Sequence, residues 1–153
     1  KFISLFFILL PLLVNAESPY RIIAILENER KLEAEPDVKL SSFFKSKDAN
    51  IRSRAILAAG RIGNPAILPV LQSLAKDASA DVRAELAFSL GQIRSRKGML
   101  VAIALLKDSD QNVQRLAIEA LGKIGALESV SEILPFLDHQ QSEIREQAAL
   151  ALA

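Results

Sequence analysis

Four ten-residue blocks of this chain align without a gap, each starting 31 residues after the last. A β-branched residue opens each block, at Ile51, Val82, Val113 and Ile144, and Gly60, Gly91 and Gly122 keep the same spacing. A unit of this length cannot bury its apolar face alone, so the chain has to stack its units into a solenoid. Within a block the apolar stripe falls at offsets 0, 4, 7, 8 and 11, as in Val82, Leu86, Ser89, Leu90 and Ile93. That is one face of an amphipathic helix. Small residues fill the middle of the stripe (Ala55, Ala58, Ala59, Ala117, Ala120, Ala148), which lets neighbouring helix axes approach closely.

A break follows each first helix. In Gly63-Asn64-Pro65 the glycine suits the position after a helix end and the proline suits the next helix's first turn. Second helices are then expected over 66–76, 98–107 and 128–137, with Leu68/Met99/Val130 and Leu71/Ala102/Ile133 in register. First helices are expected over 50–62, 81–93 and 112–124, with Asp-containing turns before them. Pro135 should kink or end its helix. No stretch alternates with period two, so the reading is an all-α solenoid of helix–turn–helix units without strands in residues 20–153. Upstream, Ser18-Pro19 opens a helix over 20–32, and Pro36-Asp37 opens another that carries Leu40, Phe43 and Phe44. Residues 17–47 thus read as a divergent capping pair ahead of repeats over 48–153. The chain stops inside a first helix at Ala148–Ala153, which reads as an N-terminal piece of a longer protein.

Residues 1–16 form a separate segment. Lys1 precedes an apolar run to Val14, and Val14 and Ala16 suit the −3 and −1 positions of a cleavage site, so residues 1–16 read as an export signal. The run is too short to span a bilayer, which needs about 20 apolar residues, so no stable membrane insertion is expected after cleavage. The destination is periplasmic or extracellular. Lys1 is the only ionisable residue of that segment, and residues 17–153 carry 18 basic and 18 acidic groups. That balance argues against a nucleic-acid partner, and the shortage of aromatic residues removes stacking platforms.

The signature Val-Arg…Ala…Ala-Leu-Gly-x-Ile-Gly, seen from Asp81 to Ile93 and from Val113 to Gly125, resembles the short HEAT-like repeats first associated with phycobilin lyases. The likeness implies the solenoid fold over about residues 20–153. It also implies an Asp/Arg ladder between repeats, whose arginines match Arg52, Arg83 and Arg145, while Gln114 departs from the pattern. The segment from Tyr20 to Arg30 is similar to the entry helix of exported bacterial proteins that carry HEAT repeats before a cyclophilin-type prolyl isomerase.

Catalytic residues are scarce. There is no Cys and a single His, so thiolate zinc sites, cysteine nucleophiles and the His–Glu sets of iron-dependent HEAT hydroxylases are excluded. His139 and the Lys76-Asp77 and Lys107-Asp108 steps read as solvated loop groups, and no cofactor or metal is expected. Arg61, Arg94, Arg96, Lys97 and Lys123 form a basic rim at first-helix ends, where cations complement helix dipoles. The helix Met99–Leu106 is apolar on every face. On the expectation that second helices line the concave side, Leu100, Val101, Ile103 and Leu134, with Pro69 at the edge, make an apolar strip for a protein or peptide partner or a downstream domain. The functional reading is an exported, non-catalytic binding or scaffold module. The alternative is the docking array of a longer enzyme, a peptidyl-prolyl isomerase.

Overall fold

The computed structural model describes residues 18–35 and 38–153. The export signal read at residues 1–16, and Pro36 and Asp37, lie outside them. Ser18 caps α1 (Pro19–Asn28), its Oγ accepting from the Arg21 amide at 3.4 Å, with Pro19 in the first turn. The helix ends at Asn28, four residues before the expected end. A small antiparallel hairpin follows, β1 (Glu33–Glu35) and β2 (Val38–Lys39), with Glu33 opposite Lys39. This corrects the expectation of no strands, and of a helix opening at Pro36-Asp37. The residue before a proline is pushed to extended backbone, and Glu35 precedes Pro36. The helix starts only at α2 (Leu40–Phe43), and it buries Leu40 completely.

The repeats are all-helical from there. First helix α3 (Ala49–Ile62) leads through α4 (Leu68–Leu71) to α5 (Ala80–Ile93). Then come α6 (Met99–Leu105), α7 (Gln111–Ile124), α8 (Val130–Ile133) and α9 (Ser142–Leu152). The first helices α3, α5, α7 and α9 stack in sequence, with α1 against α3. Helices α3, α5 and α7 each start within a residue of the expected position. The second helices are less regular than expected: α4 and α8 are single turns flanked by 3-10 segments at Pro65–Ile67, Gln72–Lys76, Leu127–Ser129 and Leu134–Asp138. The α-helix before Pro135 ends as expected, at Ile133, and the backbone continues in the 3-10 form from Leu134. The proline is not required for this change, because the first repeat makes it at Gln72 with Ser73 at the equivalent position, while α6, with Ala104 there, stays α-helical to Leu105.

The core follows the stripe. Val82, Leu86 and Leu90 are at most 1% exposed, as are Leu71, Ala102 and Ile133 of the second helices. The middle repeat has Leu86 where its neighbours have Ala55 and Ala117, and Ala102 where they have Leu71 and Ile133. This exchange conserves volume within one helix pair, the kind of core change that costs least. The recurring glycines mark close inter-helix approaches. A Cβ on Gly60 would stand 2.6 Å from Ser89 Oγ, one on Gly91 3.1 Å from Ala120 Cα, and one on Gly122 2.9 Å from Ala151 Cα. Gly60, Gly91 and Gly122 are thus where one first helix lies on the next.

Candidate functional site

Tight packing along the first helices leaves their outward face as a continuous surface. Positions 50, 53, 57 and 61 of α3 lie on one side of that helix, away from the buried Ala55, Ala58 and Ala59. With Asp81, Ala84, Glu85 and Phe88 of α5 and Asn112 and Leu116 of α7 they line a groove of about 620 Å³ that crosses three repeats. Leu57, Phe88 and Leu116 supply its apolar wall. None of the three belongs to the core stripe, and Leu57, Phe88 and Leu150 share one offset in their repeats. That off-stripe apolar recurrence was the sequence signal for this face.

The groove's charges are unevenly matched. Glu27 of α1 binds two guanidiniums, Arg54 through Nη2 and Arg61 through Nη1 at 2.8 Å. Burial would raise the Glu27 carboxyl, but these bonds outweigh it and hold it below the usual range. Glu85, one repeat on from Arg54, has no such partner. Burial pushes its carboxyl up, against a weaker pull from Arg61 and Arg54. Glu85 Oε1 and Arg54 Nη1 are both buried without a hydrogen-bond partner. Unmet buried polar atoms cost about 1–3 kcal/mol each, so both lower the stability of the fold.

The ladder implied by the repeat signature is present at two of its arginines. Arg52 donates to Asp77 from Nε and Nη2, each at 2.7 Å, and Arg83 grips Asp108 likewise at 2.6 and 2.9 Å. The third nitrogen, Nη1, reaches a carbonyl at the preceding turn, that of Ser46 at 2.8 Å for Arg52 and of Asp77 at 2.7 Å for Arg83. Bonds from Arg52 and Arg83 hold the Asp77 and Asp108 carboxyls below their ordinary value. The reading of these aspartates as solvated loop charges is therefore corrected: their side chains are only 8% and 7% exposed.

At the third repeat both partners change together. Gln114 keeps the carbonyl contact, donating from Nε2 to Asp108 O at 2.7 Å, but its Oε1 is buried without a partner. His139 stands where Asp77 and Asp108 stand in their repeats, 31 residues on. Its Nδ1 accepts from the Gln141 amide at 3.1 Å, as Asp77 accepts from Ser79 and Asp108 from Asp110. The single histidine is a turn residue, half-buried beside the Phe136 ring. Arg145 bonds the carbonyls of His139 and Gln140, the same contact to the preceding turn that Nη1 makes in Arg52 and Arg83.

The basic rim does not gather into one site. Arg61 is tied to Glu27, Arg96 to Glu128, and Lys123 to Glu119 with its Nζ also 5.5 Å from the Phe88 ring centroid. Lys97 is exposed, and Arg94 caps α5 in left-handed backbone. The apolar strip is divided too. Leu100 is 71% exposed and Leu134 49%, with Pro69 exposed, whereas Val101 and Ile103 pack against the core. The groove that crosses three repeats lies on the first-helix layer, apart from this strip. Among the described residues no group of three or more His, Cys, Asp or Glu side chains is placed to hold a metal ion, and no helix is long and apolar enough to cross a membrane.

The HEAT repeats family profile matches residues 36–102 and 99–153. The chain belongs to the HEAT-repeat family. Solved structures share the fold. One is the complex of CpcE and CpcF of phycocyanin lyase from Nostoc sp. PCC7120, at 24% identity and TM-score 0.72, covering 87% of this chain. This HEAT-repeat chain spans 57% of the length of the phycocyanin lyase chain that it matches. Another is an engineered protein, at 23% identity and TM-score 0.61, covering 74% of this chain and 59% of that one. Comparison with curated proteins finds no match.

Proposed function

We propose that this HEAT array is a polypeptide-binding module that holds its partner along the first-helix groove. The observation that carries the reading is the groove itself, which crosses three repeats and joins the apolar wall of Leu57, Phe88 and Leu116 to the carboxylates of Asp81 and Glu85. Stacked repeats present extended surfaces of this kind to extended partners. The related fold in the CpcE and CpcF complex, where two proteins assemble, supports a partner of protein nature. The export signal read at residues 1–16 puts that partner outside the cytoplasm.

A selection of short random peptides on the immobilised protein tests the reading. Selected peptides should lose binding to Phe88→Ser and Leu57→Ser, and keep it on Leu100→Asp, with far-UV circular dichroism unchanged in all three. Failure to select any peptide overturns the proposal. Peptides indifferent to Phe88 and Leu57 but lost on Leu100→Asp overturn it in favour of the Leu100–Leu134 strip.

A further inference from the structure

We infer that the groove selects a basic side chain of the bound polypeptide, its cation seated between Asp81 and Glu85 and its aliphatic stem on Leu57, Phe88 and Leu116. The inference rests on the polypeptide-binding reading above and adds the chemistry of the occupant.

Charge complementarity carries it. In and beside the groove three cations, Arg54, Arg61 and Lys123, face four carboxylates, Glu27, Glu119, Asp81 and Glu85, and Lys123 is engaged by Glu119. Both guanidiniums are engaged by Glu27. Asp81 and Glu85 take part in no ion pair among the described residues, and both line the groove on the same face of α5, one turn apart. An incoming ammonium or guanidinium neutralises the unmatched charge of Asp81 and Glu85, whereas an acidic side chain would add a fifth carboxylate beside two unpaired ones. The walls suit the rest of such a residue, because lysine and arginine bury an aliphatic stem on apolar surface behind the charged head. Phe88, Leu57 and Leu116 provide that surface. Asn50, Ser53 and Asn112 add polar atoms along the same rim.

The test uses the peptides selected on the wild-type protein that depend on Phe88 and Leu57. They should be enriched in Lys or Arg, and Glu85→Gln and Asp81→Asn should each weaken them at least about tenfold. Replacing the basic residue of the peptide by norleucine should cost a similar factor. On the Glu85→Gln protein the same replacement should cost little, because the two changes remove one interaction. Glu85→Gln relieves a buried charge, so the variant should remain folded. Groove-dependent peptides without a basic residue, or equal binding to Glu85→Gln, overturn this inference and leave the groove as a polypeptide site. If no selected peptide depends on Phe88 or Leu57, the groove reading falls and the inference falls with it.

Discussion

Gly60 and Ser89 lie so close that a methyl group on the glycine would overlap the serine's side chain at 2.6 and 2.8 Å and reach its Cα at 3.0 Å. Ser89 has little room to yield, since it is fully buried and its Oγ donates to Ile56 O at 3.0 Å. Two effects oppose each other in Gly60→Ala. Helix propensity favours alanine by about 0.5–1 kcal/mol. Overpacking costs about 1–3 kcal/mol, and here the obstacle includes backbone. The steric effect wins, and Gly60→Ala should lower the urea unfolding midpoint. Gly122→Ala should do the same, with Ala151 Cα at 2.9 Å. A gain in stability would show that adjacent first helices separate more easily than their packing implies.

The ladder carboxylates and Glu85 should respond to acid in opposite senses. Asp77 and Asp108 are held below their ordinary value by Arg52 and Arg83, so their contribution is complete above the unfolded-chain value of about pH 4 and is lost as pH falls through the folded value. Burial raises Glu85, so its ionised form destabilises the fold at neutral pH, and that cost fades as pH falls through its raised folded value toward the ordinary carboxylate value. Asp108→Asn should therefore cost about 2 kcal/mol at neutral pH and flatten the acid limb of stability against pH. Glu85→Gln should stabilise at neutral pH and remove the gain on mild acidification. Denaturant midpoints across pH for the three proteins check both signs.

Much of the array was legible in the sequence because one physical rule generates it. The 31-residue period and the stripe spacing placed α3, α5 and α7 to within a residue, since the same buried positions recur in each. The groove was not legible by the same route. Leu57 and Phe88 break no pattern in a single repeat, and Glu85 looks like an ordinary surface charge until α3 and α7 close over it. Asp77 and Asp108 could not be told from solvated loop charges, because the arginines that bury them are 25 residues away in sequence. The hairpin was missed for a local reason. Its extended backbone follows from the restriction before Pro36, not from any alternation of apolar residues.

Gln114 and His139 replace an arginine and an aspartate that face each other in the repeats before. Restoring both should recreate the grip that Arg83 has on Asp108. Gln114→Arg alone brings a guanidinium to a site without a carboxylate, and His139→Asp alone brings a carboxylate without its cation, so each should be neutral or destabilising. Together they should be more stable than the sum of the two changes by about 1–2 kcal/mol, within the range for contacting pairs. A double-mutant cycle by urea unfolding measures the coupling. Additive effects would show that the third turn no longer brings the two positions together.

Arg94 ends α5 with φ at +51°, the position taken by Gly63 at +72° and Gly125 at +65° in the flanking repeats. Its amide closes the helix on Leu90 O at 3.1 Å, as Gly63 closes on Ala59 O at 3.1 Å and Gly125 on Leu121 O at 3.0 Å. The left-handed turn is therefore demanded by the fold at all three sites, and arginine accepts it against its side-chain preference. That backbone costs an L-residue roughly 1–2 kcal/mol, while glycine pays instead through greater freedom in the unfolded chain. The balance favours Arg94→Gly by about 1 kcal/mol, since no ion pair of Arg94 appears among the described residues to oppose it. A raised unfolding midpoint with unchanged helical content is expected. A lowered midpoint would mean that the Arg94 side chain holds the turn through interactions worth more than the strain of its backbone.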